Sequence, residues 1–456
     1  MKNVLILSVS SVKTNKNKVV EGGGIRSMRL AKGLLANKLN VTVAIPYHYE
    51  LSESEFEGIN LMKWEFTPEF KTKMNSFDTV TVQYTRGDLI EYVVKNVSKN
   101  VQLIADLYVP IYVEVPARNS EDKVTEYKHF INDLNYWNLA FKRADLFLYA
   151  NEYQKIMYMG VMAALGRMNP ITYHEDILIH CPLGYENIER KEEYMAFKGK
   201  MVSQDSFAIL WFGGLYPWFD IGELIEAVNE LSKDYPKVKL LILGGKNPFN
   251  TNKDFIKQYD EVVSNVAKLG IKDKSVFFND WVEFDDLINW FKSVDVVVSL
   301  NTTGLENNFS WRTRTIDITS MDTPIITNGG DPVSEILIEN EAAVRLADVK
   351  KETIKASLES LLKDAGELEK LKKNLIEFKP TWYVENLTSK LAELIFEGKR
   401  AKDLEIANEI DQSRNEAELF TFKRKISRKF VKAVEYIDNN GVIHTLKKII
   451  KKILRK

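Results

Sequence analysis

The chain has 456 residues, 45% hydrophobic and 28% charged, enough for two or three domains with full apolar cores. Its formal net charge of −1 is unevenly spread: residues 421–456 hold twelve Lys or Arg against two acidic residues, so a basic tail follows an acidic body. The single cysteine, Cys181, excludes an intrachain disulfide and a thiolate metal site, and no apolar run reaches the ~18 residues of a spanning helix, so a cytoplasmic protein is expected.

The first apolar run, Val4–Val9, is too short for a membrane span and lacks a small-residue cleavage site, so it reads as a strand rather than a leader. Glu21-Gly22-Gly23-Gly24 follows, then a helix with Met28, Ala31, Leu34 and Leu35 on one side. Further strands are expected at Val41–Ile45, Thr79–Val82, Val101–Ala105 and Leu146–Tyr149. Continuous apolar runs between helices predict a parallel sheet covered on both faces. The polar stretch 186–205 has no strand character and is expected to be a linker.

The pattern then restarts. Phe207–Phe212 ends in Gly213-Gly214, a helix carries Ile221, Leu224, Ile225, Val228 and Leu231, and Val238–Leu243 ends in Gly244-Gly245. Strands at Ser275–Phe278, Val294–Leu300 and Pro324–Thr327 complete a second α/β unit. The expected division is 1–185, a first Rossmann-like domain; 186–205, the linker; 206–378, a second Rossmann-like domain; 379–398, a helix crossing back to the first; and 399–456, a basic helical tail.

Four clusters carry candidate chemistry. Gly23 and Gly24 sit between a strand and a helix, where backbone can approach a ligand and the helix N-terminus can face phosphate; a simple flexible turn explains them equally well. Trp311, Arg312, Arg314 and Asp317 follow the strand Val294–Leu300. A helix beginning near Arg312 would bring two guanidinium groups to one anion, with Asp317 able to accept from ribose hydroxyls. The competing reading is a surface Arg–Asp network. Tyr216, Trp218 and Phe219 follow the first strand of the second unit, where they line a pocket or pack the lobe. Asp106 and Tyr108 also follow a strand end, either as acid/base or acceptor-side groups or as a buried cap for the next helix. There is no D-x-D, no P-loop and no G-x-S-x-G, and the five histidines are scattered, so no metal site is expected.

Taken together these motifs resemble the GT4-type glycosyltransferases of the GT-B fold, in particular a bacterial subgroup with an F-x-F-R-T-R-x-x-D motif. The resemblance runs to about Phe396 and rests on Gly24-Ile25-Arg26, Asp106-Leu107-Tyr108 with Glu114, Ala163 to Arg167, Gly213-Gly214 with Trp218 and Asp220, Phe309 to Asp317, and Gly330-Asp331. It implies two Rossmann-like, doubly wound domains facing a cleft, and retaining transfer of a sugar from a nucleotide sugar to a glycan or lipid-linked glycan of the cell surface. It also implies Asp317 at the family's ribose-binding acid, while the preceding acid of that pair falls at Phe309. The basic pair the family uses for the diphosphate is missing, and Arg312, Arg314 and Lys246 are the expected replacements. Gly23, Gly24, Trp218, Trp281 and Val282 complete the expected donor site; Asp106, Tyr108 and Glu306 are the expected catalytic groups. No metal or other cofactor is expected. A sugar-nucleotide epimerase and a catalytically silent scaffold of the same fold are the alternative readings.

In the tail, Leu446, Ile449, Ile450, Ile453 and Leu454 share one helical face, with five Lys or Arg elsewhere. Such a helix suits an anionic membrane surface, which would place the protein peripherally on the inner face of the membrane. Nucleic acid is not an expected partner, since the tail has few aromatics and no binding motif.

Overall fold

The computed structural model describes residues 1–13, 20–51, 58–117, 122–188, 191–215, 219, 221–246, 253–302, 304–404 and 406. Trp218 and the amphipathic stretch 446–455 of the tail therefore lie outside the described residues.

Two sheets organise the chain. The first contains β1 (Asn3–Leu7), β2 (Asn40–Pro46), β3 (Ile59–Trp64), β4 (Thr79–Gln83), β5 (Gln102–Asp106), β6 (Leu146–Tyr149) and β7 (Leu178–His180), in the order β3-β2-β1-β4-β5-β6-β7. The second contains β8 (Phe207–Phe212), β9 (Val238–Leu243), β10 (Val276–Asn279), β11 (Val296–Ser299), β12 (Ile325–Thr327) and β13 (Ala343–Arg345), in the order β10-β9-β8-β11-β12-β13. The pairings between named strands are parallel. Each sheet starts in its middle, grows outward, then returns to the other side of its first strand. The strand order reverses between β1 and β4 and again between β8 and β11, and ligands of such sheets gather outside the strand ends at these points.

The central strands are apolar throughout because helices cover both faces. Val4 to Leu7 and Val296 to Val298 are at most 1% exposed. β3, β7 and β13 have no counterpart among the expected strands. All three are edge strands, and their exposure alternates or is mixed.

The expected linker is only partly a connector. Ala196 and Phe197 are buried in the second lobe's core, and the Phe197 amide donates to the Ser293 hydroxyl at 3.1 Å. The segment expected to cross back consists of a 3₁₀ turn at Lys379–Trp382 and two short helices, Val384–Leu387 and Ser389–Phe396. Trp382 packs with the second lobe, whereas Leu391, Ala392, Leu394 and Ile395 join the first lobe's core. Gly33 permits this crossing: a Cβ there would lie 2.6 Å from the Val384 carbonyl oxygen. Residues 169–173 and 401–404 belong to a small unit of their own, within which the Asn169 side-chain amide donates to Asp403 at 3.0 Å.

Candidate active site

The helix Gly22–Ala36 begins beside the first sheet's reversal point and is fixed there by Gln83 at the end of β4. The Gln83 side chain accepts from the Val9 amide at 2.8 Å and donates to the Gly23 carbonyl at 2.7 Å. Gly23 and Gly24 are required by this packing. A Cβ on Gly23 would meet Ser10 Oγ at 2.9 Å, and one on Gly24 would lie 1.9 Å from the Ser11 carbonyl oxygen.

A cavity of about 260 Å³ opens between the lobes. The first lobe contributes Gly24, Ile25, Met28, Arg29 and Lys32. Gly213 and Gly244, at the ends of β8 and β9, stand opposite with Trp281, Val282, Phe284 and Asp317. Both glycines have positive φ, +88° and +74°, so a side chain there would strain the backbone as well as fill the space. Trp281 lies over Gly244, where a Cβ would be 3.4 Å from its ring, and is 37% exposed. The walls thus offer an aromatic face, open backbone at two strand ends, and a carboxylate.

Charge crosses the cavity in pairs. Arg29 donates to Asp317 at 2.6 Å from the opposite lobe. Lys32 pairs with Glu186 at 2.6 Å, and Lys13 pairs with Asp285. Burial alone would raise the Glu186 pKa, but Arg29 and Lys32 outweigh it and hold the carboxyl down at about 2. Arg29 is raised above the ordinary arginine range because Asp317 and Glu186 overcome its own desolvation.

Arg312 and Arg314 lie beside this cavity rather than in its lining. Arg312 is the N-cap of the helix Thr313–Ser320, at the position where the sequence suggests a helix start. The two guanidinium groups approach one ring: Arg314 lies 3.7 Å and Arg312 5.6 Å from the Phe219 centroid. Arg314 also donates to the Gly214 carbonyl and borders Gly213, where a Cβ would lie 3.1 Å from its Nε. Arg312 is bound to Glu306, with Nη2 2.8 Å from Oε2, so Glu306 is half of an ion pair. The ion pairs of this cluster run from Arg312 to Glu306 and from Arg29 to Asp317. Lys246 is exposed just beyond Gly244-Gly245 and does not line the cavity.

Asp106 and Tyr108, the expected acid/base groups, are both held by bonds to neighbouring residues. Asp106 is 3% exposed and accepts from Arg26 through both oxygens, Nε and Nη2 each at 3.0 Å. The same guanidinium donates to the carbonyls of Cys181 and Pro182 at 2.7 and 2.9 Å and stands over the Tyr108 ring. Both carboxylate oxygens are thus engaged by one guanidinium, and Asp106 is not among the residues lining the cavity. Burial drives the Tyr108 pKa up to about 12, against partial opposition from Thr313 and the two arginines. The phenol therefore stays protonated and acts as a donor. It donates to the Trp311 carbonyl at 2.9 Å and touches the Thr313 hydroxyl at 2.8 Å.

These bonds belong to a clasp between lobes. Asn151 and Gln154 of the first lobe donate to the Phe309 carbonyl at 3.0 and 2.8 Å, and Trp311 Nε1 donates to the Leu183 carbonyl at 2.8 Å. The stretch Phe309–Thr313, which leads to Arg314 and Asp317, is therefore oriented by the first lobe. Sequence reasoning missed Arg29, Glu186 and the clasp residues Asn151 and Gln154. The one available signal was two arginines three positions apart, Arg26 and Arg29, among the apolar residues Ile25, Met28 and Leu30 of one helix.

Two parallel sheets of this strand order with a cleft between them define the GT-B architecture, and the solved structures agree. HepE of Anabaena, crystallised with UDP-glucose, is similar over 87% of this chain and 100% of its own, at 12% identity and a TM-score of 0.58. Sucrose-phosphate synthase of Thermosynechococcus elongatus is similar over 87% and 99%, at 14% identity and a TM-score of 0.60. An alpha-glucosyltransferase solved with UDP-glucose and DNA is similar over 87% and 99%, at 9% identity and a TM-score of 0.57. At such identities the likeness is one of fold. Residues 206–364, in the second lobe, match the family model of glycosyl transferases group 1. No curated protein sequence is significantly similar to the chain.

Proposed function

We propose that the protein is a retaining glycosyltransferase that moves a sugar from a nucleoside diphosphate sugar to a glycan or lipid-linked glycan in cell-surface polysaccharide assembly. The observation that carries this reading is the interlobe cavity, bounded on the second lobe by Gly213, Gly244, Trp281, Val282 and Asp317. The base stacks on Trp281 and meets the Val282 backbone. The ribose hydroxyls donate to Asp317. The diphosphate runs along Gly213, where no Cβ blocks it, toward Arg314 and Arg312. Two neighbours of the same fold, HepE and the alpha-glucosyltransferase, were solved in complex with UDP-glucose, which supports a donor of this chemistry.

The mechanism is electrostatic. As the glycosidic bond breaks, positive charge grows at the sugar's anomeric carbon and negative charge on the leaving diphosphate. Arginines fixed before the reaction stabilise that diphosphate without reorganising, and loss of one such preorganised contact costs about 10²–10³ in rate. Glu306 and Asn307 hold the Arg312 guanidinium. The clasp from Tyr108, Asn151 and Gln154 holds the segment that carries it. Lobe closure excludes water that would otherwise hydrolyse the donor. The proposed chemistry uses no metal, so a chelator leaves the rate unchanged.

The reading extends to location. The basic tail would hold the enzyme at an anionic inner membrane surface, near a lipid-linked acceptor. The test is release of nucleoside diphosphate from a panel of nucleotide sugars, with and without membrane-extracted lipid-linked glycans. Acceptor-dependent release supports transfer. Release of free nucleotide or interconversion of sugars without any acceptor dependence contradicts it.

A further inference from the structure

Arg29 is the most unusual side chain of the cavity wall. It comes from the first lobe, 4% of its side chain is exposed, and it reaches across to Asp317. Asp317 engages it through Nη2 alone. Its Nη1 is buried with no hydrogen-bond partner among the described residues. An N–H donor of a charged group left in this state is expensive, so its retention calls for an acceptor such as an ion or ligand. The group that holds Arg29 is itself anchored: Asp317 sits inside the helix Thr313–Ser320, and its oxygen tethers one guanidinium nitrogen. On the other side Arg29 lies 5.8 Å from the Phe284 ring centroid, so it is held from two directions beside the cavity.

We propose that Arg29 binds the donor diphosphate from the first lobe, its unpaired N–H accepted by a phosphate oxygen while Asp317 retains the other arm. This rests on the nucleotide-sugar reading above and goes beyond it, because it makes donor recognition a property of both lobes. A donor held at once by Arg29 and by the Gly213–Arg314 side draws the lobes together. Arginine suits this double contact because its planar fork serves a carboxylate and a phosphate at once, which the point charge of lysine cannot do.

Binding of UDP, GDP and ADP and of the matching nucleosides to the full chain, measured by calorimetry for wild type, Arg29→Lys and Arg29→Gln, tests this role. For the diphosphate that wild type binds, both variants are expected to lose at least about tenfold in affinity, a loss of roughly 1.4 kcal/mol, with nucleoside affinity within about twofold of wild type. Donor-supported turnover should show the loss mainly in KM. Equal diphosphate affinity in wild type and both variants overturns the role of Arg29 and leaves the donor reading standing. Parallel loss of diphosphate and nucleoside affinity with a lower melting temperature in both variants also overturns it, since Arg29 would then serve only the fold. If wild type binds none of the three diphosphates, the donor reading fails and this role fails with it.

Discussion

Asp106→Asn separates structure from chemistry at a position the sequence offers both as an acid/base group and as a buried cap. The substitution keeps the shape and removes the charge. Arg26 would remain with the carbonyls of Cys181 and Pro182 and the Tyr108 ring, but without its counter-ion, and the new amide would point one NH₂ at a guanidinium. With both side chains at most 3% exposed, removing one partner of the pair costs about 3–5 kcal/mol. For a lobe of this size each kcal/mol lowers the melting temperature by roughly 2–4 °C, so a fall of about 6–20 °C is expected. Differential scanning calorimetry gives the number. Pairing Asp106→Leu with Arg26→Met should recover part of the loss, short of all of it because the two carbonyls still lose their donors. Turnover of Asp106→Asn, measured well below its melting temperature, should stay within about tenfold of wild type, less than the 10²–10³ lost with a group that stabilises the transition state. A variant that melts like wild type yet has lost turnover would refute the structural role and return Asp106 to the reacting groups.

Three further outcomes follow from the geometry. Because Glu186 is held at about 2 in the folded protein against an ordinary 4.5, its pairing contributes about 3 kcal/mol above pH 4.5 that is lost as pH falls toward 2; the stability gap between wild type and Glu186→Gln should therefore shrink as pH falls from above 4.5 toward 2 in denaturant titrations, and a constant gap would contradict the pairing. Gly24→Ala forces a Cβ to 1.9 Å from backbone oxygen and should destabilise by about 1–3 kcal/mol or more, seen as a lower denaturation midpoint even with saturating nucleotide. Arg312→Ala should lower kcat by about 10²–10³ with the circular dichroism spectrum unchanged, whereas unfolding instead would make its pair with Glu306 purely structural.

The architecture was readable in the sequence because parallel strands buried on both faces leave long apolar runs, as in β1, β4, β8 and β11. Three of the four edge strands, β3, β7 and β13, escaped for the same reason. Residues such as Asn60 and Lys63 in β3 face solvent, and β7 and β13 are three residues long, so neither continuity nor period marks them. At the site, local spacing led to Arg312, Arg314 and Asp317, which sit on one short helix and its cap. It could not find Arg29 opposite Asp317, because their pairing spans 288 positions and depends on how the lobes meet. Asp106 is a similar case: local spacing could not show its partner, because Arg26 lies 80 positions away.

Donor binding at the interlobe cavity is tested most directly by a thermal-shift titration of the full chain with UDP-, GDP-, ADP-, TDP- and CMP-sugars. A ligand at about 100 times its Kd stabilises by about 2.7 kcal/mol, well above detection. One nucleoside diphosphate sugar should raise the melting temperature in a saturable way, and Arg314→Ala should remove the effect. No shift with any of the five, or an equal shift in Arg314→Ala, would contradict the donor site.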